Sequence, residues 1–322
     1  MRGSLRAGLT VLWIAAAAFA AAAQGPTTER ARRDLAFDVP PQIEEYNPRW
    51  LGDWSLALEE AERRNVPVVA MLSSDDSVGF NTVNTAVYSH PAFAAFSRRC
   101  VLLAALDGRK HGSSVRKVDG ADVAWCDLFR CPCDDHVRTA VRVRNEFATR
   151  EFWNPLHVFL SPQGAELGRV EGHEVRQPQL DEELARVQKT MGAGIAYDEY
   201  RELLLKLRAI VDGREKKGSA SAHAELGRLL AAETKAEKDP GAKRLLKSAA
   251  MKNLVAALQS ALILEGDGLL EDADDLVRER RFDDARRLLW RIQKSFKGLP
   301  PAADAAKALA SLPGEKDPAR RN

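Results

Sequence analysis

The sequence has little of what usually names a chemistry. There are four cysteines, four methionines and six histidines in 322 residues. Four cysteines in so long a chain exclude a disulfide-dense scaffold. The 48 basic and 46 acidic side chains leave a formal charge of +2, so no electrostatic footprint argues for nucleic acid. No HExxH helix, phosphate-cradling glycine loop or Ser/His/Asp arrangement appears. With 45% hydrophobic and 29% charged residues, the chain is neither disordered nor a multi-span membrane protein. Its length suits about two domains.

The first residues read as an address. Arg2 and Arg6 precede an apolar stretch from Leu9 to Ala22, and Ala21-Ala22-Ala23 before Gln24 offers a small-residue cleavage site. This is the pattern of a secretory signal over residues 1–23. The stretch falls short of the roughly 20 apolar residues that span a bilayer, so no membrane span is expected after cleavage. Cleavage would remove two arginines and no acid, taking the formal charge from +2 to zero. The expected location is secreted or periplasmic, where disulfides are stable. Residues 24–48, with Gly25, Pro26, Pro40, Pro41 and Pro48, read as a linker.

Residues 49–192 alternate helix and strand patterns. Trp54 to Arg64 suits a surface helix. Val66-Pro67-Val68-Val69-Ala70-Met71-Leu72 and Val101-Leu102-Leu103-Ala104-Ala105-Leu106 are apolar runs of the kind that form strands covered on both faces. Leu156 to Leu160 is a third strand, which a Ser161-Pro162-Gln163-Gly164 turn joins to a hairpin partner ending at Gly172. Helices are expected at Val137 to Ala148 and Gln179 to Met191. The order implies a mixed α/β sheet. Residues 108–136 form an insertion after the second strand.

Residues 193–312 lose their β-branched clusters and become rich in Ala, Leu, Glu, Lys and Arg, a helical composition. Ala273, Leu276 and Val277 share one face. Ala285, Leu288, Leu289, Ile292 and Phe296 share another at helical spacing. Residues 313–322 are a polar tail.

Two anchors carry a resemblance. Val66-Pro67-Val68-Val69 followed by Ser89-His90-Pro91-Ala92-Phe93 is the first. Trp153-Asn154-Pro155-Leu156-His157-Val158-Phe159-Leu160 with Gly164, Glu166, Gly168 and Gly172 is the second. Together they resemble the thioredoxin-like fold in its secreted form, over residues 50–192. The resemblance implies a cis-proline strand at Pro155 and a Trp-Cys-X-X-Cys motif after the first strand. Counted without gaps, that motif falls on Ser77-Val78-Gly79-Phe80, where neither cysteine is present. Thiol exchange needs a thiolate and a second sulfur to resolve the mixed disulfide, so the usual reductase chemistry is lost there. The resemblance also implies a groove for an extended peptide beside Pro155, Ser77 and Phe80. In the second half, Ala273, Arg281-Phe282-Asp283-Asp284-Ala285, Leu288, Phe296, Gly298-Leu299-Pro300, Ala302 and Ala305 resemble a tetratricopeptide-type helical hairpin, within a repeat-like or bundled domain.

Sulfur reappears elsewhere. Cys126, Cys131 and Cys133 crowd the insertion in Trp125-Cys126-Asp127-Leu128-Phe129-Arg130-Cys131-Pro132-Cys133-Asp134-Asp135-His136. If the sheet is thioredoxin-like, this insertion hangs over the edge where sites of α/β folds collect. Three readings compete. A disulfide from Cys126 to Cys131 or Cys133 would pin a long exported loop. Cys131 and Cys133, with Cys126, could form an atypical thiol–disulfide oxidoreductase site, although Asp134 and Asp135 work against a low thiol pKa. Cys126, Cys131, Cys133 and His136 could ligate zinc. Cys100 reads as a small core residue. His157 reads as a packed, hydrogen-bonded core histidine, and His90, His111 and His173 as solvated loop residues. The leading expectation is an exported thioredoxin-like protein without the redox motif, acting as a binding or scaffold module for a protein or peptide partner, with no cofactor beyond the zinc of the third reading.

Overall fold

The structure is a computed structural model that describes residues 35, 37–109, 111–118, 120–148, 152–192, 194–231 and 249–313. The expected signal segment, the first part of the expected linker (24–34 and 36) and all but Pro313 of the polar tail lie outside the described residues. No helix among those residues is long and apolar enough to cross a membrane.

By their contacts the described residues divide into two compact units. Residues 39–205 with 249–252 form one, and residues 206–231 and 253–313 belong to the other, with the short stretch before Val39. The first unit is a mixed α/β sheet with helices on both faces. Its elements are β1 (Trp50–Leu51), α1 (Trp54–Arg64), β2 (Val68–Ser74), α2 (Val78–Val83), a π-helical turn (Asn84–Tyr88), α3 (Pro91–Ser97) and β3 (Val101–Asp107). Then come β4 (Ser113–Val118), β5 (Ala121–Cys126), β6 (Cys131–Pro132), α4 (Cys133–Phe147), β7 (Leu156–Leu160), β8 (Glu166–Glu171) and α5 (Gln177–Met191). The main sheet has five strands in the order β1-β3-β2-β7-β8. β1 and β2 both run parallel to β3, while β7 is antiparallel to β2 and β8 to β7. The peptide bond between Asn154 and Pro155, just before β7, is cis.

The apolar runs read from the sequence are central strands because both faces are covered. Side chains alternate along a strand, and the two cores separate accordingly. Val69, Met71, Leu102, Ala104, Leu106 and Phe159 meet Phe93 and Phe96 of α3 and Leu180, Leu184 and Val187 of α5. Val68, Ala70, Leu72, Leu103, Ala105 and Val158 meet Ala57 and Ala61 of α1 and Ala140 and Val143 of α4. Helix α1 starts where Asp53 accepts the Leu56 N–H at 2.9 Å. It stops where Asn65 turns left-handed at φ 52°.

Two features depart from the sequence reading. The insertion is not a bare loop, since β4, β5 and β6 form a separate three-stranded antiparallel sheet. Residues 39–48, expected as linker, lie against the α/β unit. Ile43 is buried with Ala94 and Tyr197, and the Tyr197 hydroxyl donates to Pro41 O at 2.5 Å.

A buried cation ties that corner together. Arg64 is 1% exposed. It pairs with Glu60 at 2.8 Å and donates to the carbonyls of Cys100 (3.1 Å), Arg98 (2.7 Å) and Ile195 (3.3 Å). The chain end of α1, the start of β3 and the segment after α5 therefore share one guanidinium.

The second unit is helical. α6 (Tyr197–Asp212) runs across the division between the units, and α7 (Arg214–Lys217), α8 (Ser219–Ala231), α9 (Ala249–Arg278), α10 (Phe282–Ser295) and α11 (Pro300–Ser311) come after it. Ala273, Leu289, Ile292, Phe296, Ala302 and Ala305 form its buried cluster, as the helical spacing implied. Gly266 is required there, because a Cβ would come 2.6 Å from the Pro301 ring. The tetratricopeptide pattern finds no support. α9 alone runs 30 residues, whereas a repeat of that type fits two helices into about 34.

Two buried groups make the packing testable. Arg64→Met strips the guanidinium from the Cys100 and Ile195 carbonyls, while the Arg98 carbonyl keeps the Tyr197 N–H at 2.9 Å and Arg49 still holds Glu60 at 2.5 Å. The loss of stability should be about 3 kcal/mol, at the lower end for a broken buried pair, read by denaturant titration. His157 is buried between the Tyr88 hydroxyl (2.5 Å) and Val170 O (3.3 Å), as expected of a core histidine. Burial pushes it down from 6.5 to about 4. The unfolded chain thus takes up a proton near pH 6.5 that the folded chain refuses until about pH 4. Stability should be full above that window and fall as pH drops through it. His157→Gln should flatten the slope by up to about 1.4 kcal/mol per pH unit, measured from denaturation curves across the window.

Candidate functional site

The site forms where two parallel strands end. β2 and β3 pair in register up to Ser74 with Asp107, so both strands release the chain at the same edge. Asp75 comes directly after β2, and its N–H donates to Asp107 O at 3.4 Å. The chain leaving β3 turns at Gly108, which takes φ 125° against the Asp75 carboxylate, and carries His111 back to that carboxylate. The insertion sheet then returns the chain to the edge. Ser113 pairs with Cys126 across β4 and β5, and Cys126 with Cys131 across β5 and β6. Helix α4 begins at once with Cys133, Pro132 standing as its cap.

Cys133 and His136 are three residues apart on one helix and share a face. His111 meets them there. Its Nε2 lies 3.6 Å from Cys133 Sγ and 3.2 Å from His136 Nε2. The side-chain ligand atoms of these three residues all fall within 4.8 Å of one another. Each imidazole has a partner for its other nitrogen. His111 Nδ1 is 2.8 Å from Asp75 Oδ1, and His136 Nδ1 is 3.0 Å from Leu106 O at the end of β3. A carboxylate and a carbonyl both accept, so both Nδ1 atoms carry hydrogen and both Nε2 atoms carry lone pairs when the rings are neutral. Burial pushes His136 below its ordinary value, which keeps that ring neutral. The site is secluded: Cys133 is 1% and His136 0% exposed, and the His111 side chain 8%.

The other sulfurs lie apart from this cluster. Cys126 Sγ accepts the Phe129 N–H at 3.3 Å. Cys131 Sγ sits against Gly52, where a Cβ would approach it to 2.9 Å. Cys100 is a buried core residue whose thiol lies 3.6 Å from Phe96 O, as expected. All four are free thiols. Burial raises each: Cys100 to about 12, Cys126 to about 11, and Cys131 further still, with Cys126 and Asp135 adding to the effect. For Cys133 burial again leads. Arg109 opposes it, and Asp134, Asp127 and Asp75 reinforce it.

Of the four residues expected as zinc ligands, the structure brings Cys133 and His136 together, and Cys126 and Cys131 stand outside. His111, expected as a solvated loop residue, is the one the sequence reading missed. Its signal was weak: a histidine between Gly108 and Gly112 at the mouth of the insertion. His90 and His173 are exposed, as expected.

The position that would carry a redox motif holds no sulfur. Ser77 caps α2, accepting the Phe80 N–H at 3.2 Å. Phe80 is 3% exposed and Pro155 is also buried, so neither offers surface to a peptide. Gly79 lies directly on the neighbouring loop, where a Cβ would fall 2.2 Å from Asn154 O. Val78 and Trp153 are the exposed apolar side chains of this region, at 80% and 67%.

No family model and no curated protein matches the sequence. Among solved structures, a chain titled "DsbH Oxidoreductase" is similar, with a TM-score of 0.34 and 13% identity over 49% of this chain and 98% of that one. So distant a likeness assigns no activity.

Gly52 tests how tightly the start of α4 is seated. A Cβ there would also fall 3.1 Å from Asp135 Cβ and 3.2 Å from His136 N. Gly52→Ala should therefore cost about 1–3 kcal/mol through overpacking. Gly112→Ala, whose Cβ would stand 3.6 Å from Asp127 Oδ2, should be tolerated. Thermal unfolding of the two variants side by side checks the contrast.

Proposed function

We propose that this chain is an exported thioredoxin-like protein that has given up disulfide exchange and works by binding at the loop edge of its sheet. The observation that carries the reading is the chemistry of the four thiols. None stands at the α2 start, where Ser77 caps the helix. All four are buried, and burial raises the pKa of every one. The thiolate is the nucleophile in exchange, and this arrangement disfavours it throughout. The strand order β1-β3-β2-β7-β8 and the cis peptide bond before β7 support the thioredoxin-like assignment. The exposed Val78 and Trp153 offer apolar contact for a protein or peptide partner beside the buried Pro155.

A second reading has one observation in its favour. Cys126 and Cys131 face each other directly across β5 and β6. Directly opposed strand residues stand about 4.5–5.5 Å apart at Cα, within the range a disulfide bridges. If these cysteines cycle between dithiol and disulfide, the protein is an oxidoreductase of unusual design, and its pair is Cys126 with Cys131 rather than Cys131 with Cys133.

Turnover of a model disulfide by the mature chain, with a dithiol as reductant, separates the readings. The binding reading expects a rate equal to the uncatalysed one, unchanged in Cys126→Ser and Cys131→Ser. Catalysed turnover that either serine variant abolishes establishes the oxidoreductase instead.

A further inference from the structure

We infer that His111, Cys133 and His136 bind one divalent transition-metal ion of zinc's class, with Asp75 and Leu106 O as the groups that orient the two imidazoles. This ligand set differs from the cysteine-rich set that the spacing of the insertion suggests. It is independent of whether the chain exchanges disulfides.

The first argument is a conflict that the hydrogen bonds create. Both Nδ1 hydrogens are committed, one to the Asp75 carboxylate at 2.8 Å and one to Leu106 O at 3.0 Å. The two Nε2 lone pairs then confront each other at 3.2 Å, with Cys133 Sγ 3.6 Å from one of them. Acceptors do not face acceptors in a buried site without something positive between them. A proton on one ring is one remedy. The Cys133 thiol, whose S–H can donate to His111 Nε2, relieves only one of the two rings. A metal ion is the other remedy, and it engages both nitrogens and the sulfur at once.

The second argument is spacing. Zinc holds nitrogen at about 2.0–2.1 Å and thiolate sulfur at about 2.3 Å in a tetrahedral array. Those bonds place two nitrogens about 3.3 Å apart, and a nitrogen and a sulfur about 3.6 Å apart. The observed separations are 3.2 Å and 3.6 Å. Two of the three separations thus match those around such an ion, and all three ligand atoms fall within 4.8 Å of one another.

The third argument is the surrounding shell and the charge. Metal-bound histidines commonly donate their remaining N–H to a carboxylate or a backbone carbonyl, which fixes the ring and its tautomer. Here one ring has each kind of partner. On binding, the ion displaces the Cys133 thiol proton to solvent. A divalent ion, one thiolate and the Asp75 carboxylate then sum to zero, which suits a site whose Asp75 and His111 side chains are only 4% and 8% exposed. Soft thiolate beside imidazole favours zinc and copper over magnesium or calcium. Three protein ligands leave one tetrahedral position for water or another small ligand, as in zinc sites that exchange ligand.

The test uses the full mature chain, stripped of bound metal with a chelator that is then removed, and titrated with Co2+ as a spectroscopic stand-in for zinc. One equivalent should bind and give a thiolate-to-cobalt charge-transfer band, which one equivalent of Zn2+ displaces. Cys133→Ser should abolish the band, and His111→Ala should weaken binding at least about 10-fold. Asp75→Asn should weaken it about 10–100-fold while leaving the band in place. Cys126→Ser and Cys131→Ser should bind as the parent does. Circular dichroism of each variant checks its fold, and His111→Ala, on the loop before β4, serves if Cys133→Ser does not fold. Folded parent protein that gives no thiolate band overturns the inference and leaves the shared proton as the remedy. A band that survives in Cys133→Ser but disappears in Cys126→Ser or Cys131→Ser overturns it too, in favour of the cysteine loop. Disulfide turnover plays no part in these readouts, so the inference and the binding reading fail separately.

Discussion

Parallel pairing of β2 with β3 is the constraint on which the rest of the α/β unit depends. Seven consecutive residue pairs, from Val68 with Val101 to Ser74 with Asp107, fix the register. A shift of one residue would turn every side chain to the opposite face, and the two cores would be lost together. The same register sets which residues stand at the carboxyl edge. Asp75 and Gly108 meet because Ser74 and Asp107 are partners. His111 is therefore delivered to Asp75 by the backbone of the sheet, and the insertion needs only to return its far end to the same place.

The insertion does so by forming structure of its own. β4 and β5 make six pairs, and the short β6 adds two more. That hairpin brings the chain back to the edge at Cys131, and Pro132 then switches it from strand to helix within one residue. This switch is why Cys131 and Cys133, so close in sequence and within one buried cluster, turn their sulfurs to different neighbours. One sulfur lies against Gly52, and the other faces two imidazoles.

Much of the sheet was legible in the sequence. The runs at Val68, Val101 and Leu156 are continuous because helices cover both faces, and that continuity is itself the signal. The bounds of α1 were legible from its periodicity, with Asp53 before it and Asn65 after. The start of α4 was not. Apolar periodicity places it at Val137, whereas it begins at Cys133, since Pro132 and the acids Asp134 and Asp135 are features of a helix N-terminus. The three cysteines beside those residues mask the helix signal. His111 was illegible for a different reason. Its partner Asp75 is 36 residues away, and only the parallel register brings them together. The three cysteines, by contrast, form a group in sequence that the fold divides.

The charge at the α4 start explains what kind of group this edge can hold. A thiol at the first residue of a helix is where backbone N–H groups usually stabilise a thiolate. Cys133 has that position, but Asp134 and Asp135 occupy the first turn, and Asp75 and Asp127 add their fields. The helix end is thereby answered by carboxylates before the sulfur can use it. Arg109 would oppose them, but it forms an ion pair with Asp134. A free thiolate is thus disfavoured at the one cysteine best placed to be one. The same carboxylates that oppose an anion favour a cation, and the two imidazoles turn their Nε2 atoms toward one another, that of His111 lying beside the sulfur as well. The edge is thus built to one electrostatic rule, with negative and lone-pair-bearing groups converging on one enclosed point.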